Sequence, residues 1–307
     1  MLRYLVKRLL LAVPTVIGVV VLVFFAMRVL PGDITDKMVA DFGLSAADIA
    51  RLRQQWGLDD PLYVQFVRFV GDVLRGDLGR SIWSRRLVTE QIGDQLPATV
   101  ELTVAAMVIS VTIGVPLGIM AALKRRSWWD FASMGVALLG VSMPTFWLGL
   151  LLILLFGVRL GWLPMAGTGG MAFLVLPAFT LGFHSSAVIA RLTRSSMLEV
   201  LRQEYIKTAR AKGLRGRTVL WKHALRNAAI PVLTIMGLQV AGLLGGAVLT
   251  ETVFSRQGIG HMAARAVLEK DFPVVQGIVL LVALTYVVVN LGIDLLYALV
   301  DPRIRYD

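Results

Sequence analysis

The 307-residue chain is 57% hydrophobic and only 17% charged, where a soluble domain carries about a quarter charged residues. Its net charge is +11, and the cations gather in short segments between apolar runs, which excludes a nucleic-acid binder in favour of a membrane protein obeying the positive-inside rule. The absence of cysteine excludes a disulfide framework, a cysteine nucleophile and a thiolate-bound metal.

Six apolar segments follow one another, each close to the roughly 20 residues that a helix needs to cross a bilayer. Residues 9–27 contain no charge and follow a basic start. The run is too long for a signal-peptide core and no small-residue cleavage site follows, so it reads as a retained first transmembrane helix. Residues 98–123 contain one charge, Glu101, and residues 131–158 none. The fourth segment, about residues 171–190, is preceded by a Gly/Pro-rich loop at 162–170. Residues 228–250 carry no charge, and residues 272–300 carry only Asp294. Within the third, Ser142-Met-Pro-Thr145 predicts a kink, because Pro144 removes one backbone donor.

With both termini in the cytoplasm, the inside segments hold eighteen Lys/Arg against five Asp/Glu, whereas residues 28–96 are nearly neutral. The expected fold is an all-α integral membrane protein with six transmembrane helices and cytoplasmic termini. Its expected parts are helix 1 within residues 1–30, a small helical periplasmic subdomain at 31–97, and a five-helix core at 98–307 with a cytoplasmic loop at 191–227. In the subdomain, Ser45-Ala-Ala-Asp48 is a capping-box pattern that opens a helix to about Trp56. Leu62, Phe66, Phe69, Val70 and Val73 then share one helical face. This subdomain is either a spacer packed on the helix ends or a docking element for something delivered from outside.

The cytoplasmic loop is strongly basic. Its stretch Glu204-Tyr-Ile-Lys-Thr-Ala-Arg-Ala-Lys-Gly-Leu214 favours helix, with Gly213 as a natural stop. Such a helix suits insertion into a partner's groove. Composition alone favours another reading, an interfacial helix held on anionic lipid.

At this segment a resemblance enters. Tyr205-Ile-Lys-Thr-Ala-Arg-Ala-Lys-Gly-Leu214, followed by Lys222-His-Ala-Leu-Arg-Asn-Ala-Ala-Ile-Pro231, resembles the cytoplasmic EAA loop of bacterial ATP-binding-cassette importer permeases, in the form of the dipeptide/oligopeptide/nickel family. Leu30-Pro-Gly-Asp33, Gln55-Trp-Gly-Leu-Asp59, Gly76-Asp-Leu-Gly79-Arg-Ser81, Leu160-Gly-Trp-Leu-Pro164, Glu251-Thr-Val-Phe254, Gly258-Ile-Gly260 and Asp301-Pro-Arg-Ile-Arg305 are similar to that family in order and spacing. Lys207 stands where many permeases carry the motif's glutamate, with Thr208 and Ala209 in its two alanine positions. The resemblance implies an inner-membrane permease that forms half of a pathway for peptides or a related small solute. It implies four kinds of surroundings: a second homologous permease, two cytoplasmic ATPases, an extracytoplasmic binding protein and the bilayer. It implies that Tyr205, Ile206, Lys207, Thr208, Ala209, Arg210, Ala211, Lys212, Gly213 and Leu214 form a coupling helix seated in an ATPase groove.

No catalytic pattern competes. GxxxxGK[ST], HExxH and GxSxG are all absent, and His184, His223 and His261 are far apart in sequence. The expectation is a non-enzymatic subunit without metal or cofactor. Gly237, Gly242, Gly245 and Gly246 crowd the fifth helix, which points to close helix packing or to a translocation path lined by backbone and Gln239. Gln239, Gly242, Gly246 and Glu251 are the path candidates. For Asp294 a structural ion pair outweighs a transport role. The rival readings are a secondary transporter or channel working without ATPases, which usually shows inverted repeats or intramembrane charges on several helices, and an intramembrane enzyme, which needs paired catalytic residues at bilayer depth.

Overall fold

The computed structural model describes residues 2–29, 46–55, 57 and 59–300. Every regular element among them is helical, and the one β feature is an isolated antiparallel bridge between Arg80 and Leu87. Hydrocarbon offers backbone groups no hydrogen-bond partner, so long apolar segments satisfy their own N–H and C=O groups as helices.

In chain order the helices are α1 (Leu2–Val29), α2 (Ala46–Gln55), α3 (Leu62–Leu74), α4 (Val88–Leu123), α5 (Trp128–Ser142) and α6 (Thr145–Leu152), which continues as a π turn over Ile153–Arg159. Then come α7 (Ala172–Val200), α8 (Glu204–Ala211), α9 (Leu225–Val253), α10 (Ile259–Glu269) and α11 (Phe272–Val300). A helical turn at Gly216–Thr218 and a π turn at Val219–Ala224 lead into α9.

Among the described residues, four helices are long and apolar enough to cross a membrane: α4, α7, Gly216–Gly245 and Phe272–Ile293. A fifth crossing exists if α5 and α6 with its π turn form one span, and this pair is bent by 103°. The bend falls at Met143 and Pro144, where the kink was expected. The apolar stretch described in α1 is Val13–Ala26.

Two expected boundaries move. The polar segment expected to start at Arg191 is helical to Val200, because Thr193, Ser196 and Met197 stay buried on the continuing α7 face. The second apolar helix begins at Val88, ten residues before the expected Ala98, and keeps Pro97 inside it. The proposed cap residue Ser45 lies outside the described residues, while the helix that it would open runs over Ala46–Gln55.

The chain divides into two compact units. One holds Leu2–Leu96 and Met262–Val287. In it, α3 turns Phe66 and Phe69 toward Phe24 of α1, with ring centroids 5.1 and 5.7 Å away. Leu62, expected on that face, is 53% exposed; the buried residue of α3 is Gln65, whose Nε2 donates to the Asp60 carbonyl at 2.8 Å. The Gly76–Ser81 motif is a turn. Gly76 and Gly79 have φ of 77° and 80°, a region where glycine bears no Cβ penalty. The Gly79 N–H donates to Asp77 Oδ1 at 2.8 Å. Asp271, 3% exposed, receives Ser81 Oγ at 2.5 Å and the Ile82 N–H at 3.2 Å.

The other unit holds Pro97–His261 and the chain from Val288. Its centre is α7, which packs on α5, α6 and α9 and meets α4 at close glycine contacts. A Cβ on Gly114 of α4 would lie 2.6 Å from the Ser186 carbonyl oxygen, one on Gly118 2.5 Å from that of Ala190, and one on Gly182 of α7 2.7 Å from that of Ala106. Ser110, Gly114 and Gly118 are spaced four apart, so small residues form a continuous seam where two backbones meet. Ser110 Oγ lies within hydrogen-bond reach of two carbonyl oxygens there, Ala106 at 2.7 Å and Gly182 at 3.0 Å. At one end of this seam, Arg194 of α7 donates Nε and Nη2 to the two oxygens of Asp130 on α5, at 2.7 and 2.9 Å.

Gly118→Leu is therefore expected to lower stability by about 1–3 kcal/mol or more through overpacking. Gly135, beside which a Cβ meets nothing within 4 Å, supplies the control. Thermal unfolding of the detergent-solubilised chain should show a lower midpoint for G118L than for G135L; equal midpoints would remove the seam's assigned role.

Candidate coupling segment and path

The basic segment between α7 and α9 forms the expected helix. Helix α8 covers Glu204–Ala211, and Gly213 ends it with φ of 77°. The Gly213 N–H donates to the Arg210 carbonyl at 2.9 Å and the Leu214 N–H to that of Ala209 at 3.3 Å. This is the paired closure that follows a left-handed residue at a helix end. With nothing within 4 Å of a Cβ at Gly213, the glycine serves backbone conformation, not close packing.

The ten candidate coupling residues fall into two groups. Ile206 (0% exposed) and Ala209 (7%) are buried in a cluster with Ala122, Met197, Val219, Ala224 and Ala228, so they anchor α8 to the ends of its neighbouring helices. Tyr205, Lys207, Thr208, Arg210, Ala211, Lys212, Gly213 and Leu214 are exposed. Lys207 Nζ pairs with Glu204 Oε1 at 2.6 Å, a solvent-exposed i,i+3 pair of small energetic weight. Asn227, in the first turn of α9, donates Nδ2 to Tyr205 Oη at 2.7 Å and to the His223 carbonyl at 3.1 Å. The anchor is thus two apolar side chains and one amide–phenol bond, and it leaves a cationic face outward.

The candidate path residues lie on α9. Gly242 is exposed, as are Leu238, Gly245 and Leu249, which recur at helical spacing on one open face. Gln239 is half-buried, and its Nε2 has no acceptor among the described residues. Gly246 belongs to the same helix.

Glu251 is enclosed. It is 0% exposed, Thr99 Oγ1 donates to its Oε1 at 2.7 Å, and the His261 N–H donates to its Oε2 at 3.0 Å. Thr99 Oγ1 also accepts the Ile259 N–H at 2.8 Å. A Cβ on Gly258 would collide with the carboxylate, and one on Gly260 would lie 2.5 Å from Val248 Cα. The spacing of Glu251, Gly258 and Gly260 is thereby explained: a buried carboxylate needs hydrogen bonds, and only glycine lets the returning backbone come close enough to supply them. Beside it, Arg256 is 1% exposed. Its backbone N–H donates to the Glu251 carbonyl at 2.8 Å, and its Nη2 donates to Glu101 Oε2 and more weakly to the Ala98 carbonyl. Its Nε and Nη1 have no acceptor among the described residues.

Sequence reasoning missed Asp130, Arg194, Asp271 and Arg256. They are single polar residues without a repeating pattern, and only the fold reveals their partners. Among the described residues, no three His, Cys, Asp or Glu side chains are grouped to hold a metal ion.

Fold and site together define a class: a multi-pass helical membrane protein with a polar helix held between two long apolar ones. Solved structures share the fold. A chain of the MetNI methionine ABC transporter in an inward-facing conformation superposes with a TM-score of 0.59 at 19% identity, covering 69% of this chain and 96% of that one. A chain of an amino acid ABC transporter gives 0.52 at 18% identity, with coverage of 70% and 94%. The family description "Binding-protein-dependent transport system inner membrane component" matches residues 114–306, and its N-terminal counterpart matches residues 1–103. The chain belongs to this family and is a multi-pass inner-membrane permease component of an ABC importer.

Curated relatives match it end to end. The dipeptide transport system permease protein DppB of Alkalihalophilus pseudofirmus is 43% identical, with 100% of both chains covered. The di/tripeptide transport system permease protein DppB of Pseudomonas aeruginosa is 46% identical over 100% of this chain and 99% of that one. The glutathione transport system permease protein GsiC of Salmonella paratyphi A is 46% identical, with both chains fully covered.

Removing Ile206 from its cluster by Ile206→Ala is expected to cost about 2–5 kcal/mol, whereas exposed Lys207→Ala should change stability by less than about 0.5 kcal/mol. Comparing the two thermal midpoints checks the division between anchor and outward face. Glu251→Ala strands the Thr99 hydroxyl and the His261 N–H, with an expected loss of about 1–3 kcal/mol; an unchanged midpoint would show that the carboxylate does not brace that end of α9.

Proposed function

We propose that this permease forms half of a translocation pathway for small peptides, with a second homologous permease as the other half. Two cytoplasmic ATPases power the pair and an extracytoplasmic binding protein delivers the solute. The observation that carries the reading is α8. Its two buried side chains, Ile206 and Ala209, tie it to the membrane helices, while Lys207, Arg210 and Lys212 face outward. A helix anchored on one side and cationic on the other can transmit a push from an acidic groove into the helices behind it. Transmission also requires that the ATPases favour one of two membrane conformations, since a contact of equal strength in both shifts nothing. The peptide class is supported by the relatives named for dipeptide, di/tripeptide and glutathione transport.

In this reading the chain crosses the membrane six times, with α5 and α6 as one bent crossing and α1 as the first, and both termini are cytoplasmic. Residues 31–97 form a periplasmic subdomain, and 98–307 form the permease core. The chain contains no phosphate-binding loop, so ATP hydrolysis falls to the partner chains and this subunit is not itself an enzyme. Gln239, Gly242 and Gly246 line the path, while Glu251 braces its end on α9. A secondary transporter or channel would instead move solute with no ATPase bound.

Affinity purification of the tagged chain in mild detergent, followed by mass spectrometry of co-purifying chains, tests this. Two ATPase subunits and a second permease are expected, and the charge-reversed variant K207E/R210E/K212E should lose the ATPases at least tenfold while keeping its thermal midpoint. A chain that purifies alone and moves peptide into liposomes without ATP would overturn the proposal.

A further inference from the structure

The connection between α4 and α5 carries three consecutive cations, Lys124, Arg125 and Arg126, all exposed. None of their side chains forms an ion pair within 4 Å among the described residues, and Arg125 contributes only a longer-range attraction to Asp130. The adjacent acid, Asp130, is occupied by the Arg194 guanidinium and by the Arg126 backbone N–H, which donates to Oδ2 at 3.0 Å. Lys124 Nζ lies 4.7 Å from the centroid of the Trp129 ring, a contact that leaves the charge open to an anion on its far side.

The connection is also held in one shape. Arg126 sits at φ of 61°, fixed by its N–H bond to Asp130, and the Ser127 N–H and Oγ both donate to the Lys124 carbonyl, at 3.1 and 2.5 Å. Next to the cations stand large exposed rings: Trp128 is 75% exposed, Trp129 50% and Phe131 80%. In the topology proposed above α4 and α5 are both membrane helices, and on that reading this connection lies at the membrane surface whichever way the chain is oriented. Tryptophan is favoured at that depth, and an exposed phenylalanine one turn into α5 belongs in the acyl layer.

A soluble anion would complement the cations and leave Trp128 and Phe131 in water. A groove on a soluble protein would have no reason to meet a ring at acyl depth. A lipid with an anionic headgroup complements both at once. We propose that the Lys124–Phe131 connection is a binding site for an anionic phospholipid, its phosphate held by Lys124, Arg125 and Arg126 and its glycerol and upper acyl chains against Trp128 and Phe131.

The test titrates the full chain, delipidated in mild detergent, with phosphatidylglycerol or phosphatidylcholine and counts bound lipids by native mass spectrometry. Wild type should bind phosphatidylglycerol at least tenfold more tightly than phosphatidylcholine. Each cation is expected to contribute about fivefold, so K124Q/R125Q/R126Q should abolish the preference and leave phosphatidylcholine binding unchanged. R125Q alone, which removes no hydrogen bond seen in the fold, should lose about fivefold with its thermal midpoint intact, and this answers the question if the triple variant misfolds. A large excess of inorganic phosphate should fail to displace the lipid. Equal binding of both lipids by wild type, an unchanged preference in R125Q, or displacement by inorganic phosphate would each overturn the proposal. So would a triple variant that keeps its phosphatidylglycerol but loses co-purifying protein chains, because the cations would then face a protein partner.

Discussion

The close approach of α4 to α7 is the contact on which the rest of the core unit depends. In hydrocarbon the lipid tails are as apolar as leucine, so helices gain little from burying large side chains against one another. What remains is dispersion between closely packed backbones, and that requires residues small enough to let them meet. Gly114, Gly118 and Gly182 supply this, with the Ser110 hydroxyl at the Gly182 carbonyl. With α7 fixed against α4, its other faces are free to pack α5, α6 and α9, and its extension past Arg191 carries Met197 into the cluster that seats α8.

Within each unit, buried polar groups act as pins. A buried carboxylate is costly unless it is hydrogen-bonded or paired, and three carboxylates meet this demand in different ways. Asp130 accepts both arms of the Arg194 guanidinium, a fork geometry with strong directional preference. Asp271 takes a hydroxyl and a backbone N–H from the Ser81 turn. Glu251 takes a hydroxyl and the His261 N–H, and owes its enclosure to two glycines. Each acid has at least one bond to a segment distant in sequence, so each specifies a contact between elements as well as contributing to stability.

The same logic separates the two ends of α9. At its start, apolar anchors hold α8 while the cations stay outside, an arrangement suited to meeting a partner. At its end, charge is drawn inside and bonded locally, while Arg256 Nε and Nη1 have no acceptor among the described residues. Between them runs an open face of leucine and glycine, Leu238, Gly242, Gly245 and Leu249.

Much of this was legible in the sequence. Apolar runs of about twenty residues can only be helices where water is absent, so the all-helical class, the position of the long helices and the kink at Pro144 followed from composition and spacing. The helix at Glu204–Ala211 and its stop at Gly213 followed from propensity and from the conformational freedom of glycine. The order of the short motifs placed the chain in its family. Tertiary structure alone decided which side of α8 is anchor and which is open, since Ile206 and Ala209 resemble their neighbours until Met197 and Ala228 are brought against them. It alone showed Glu251 enclosed and hydrogen-bonded, and it alone revealed the partners of Asp130, Asp271 and Arg256. A helical period is written in adjacent residues and can be read locally. A hydrogen bond across 64, 152 or 190 residues leaves no local trace, because the chain between the partners can take any sequence that brings them together.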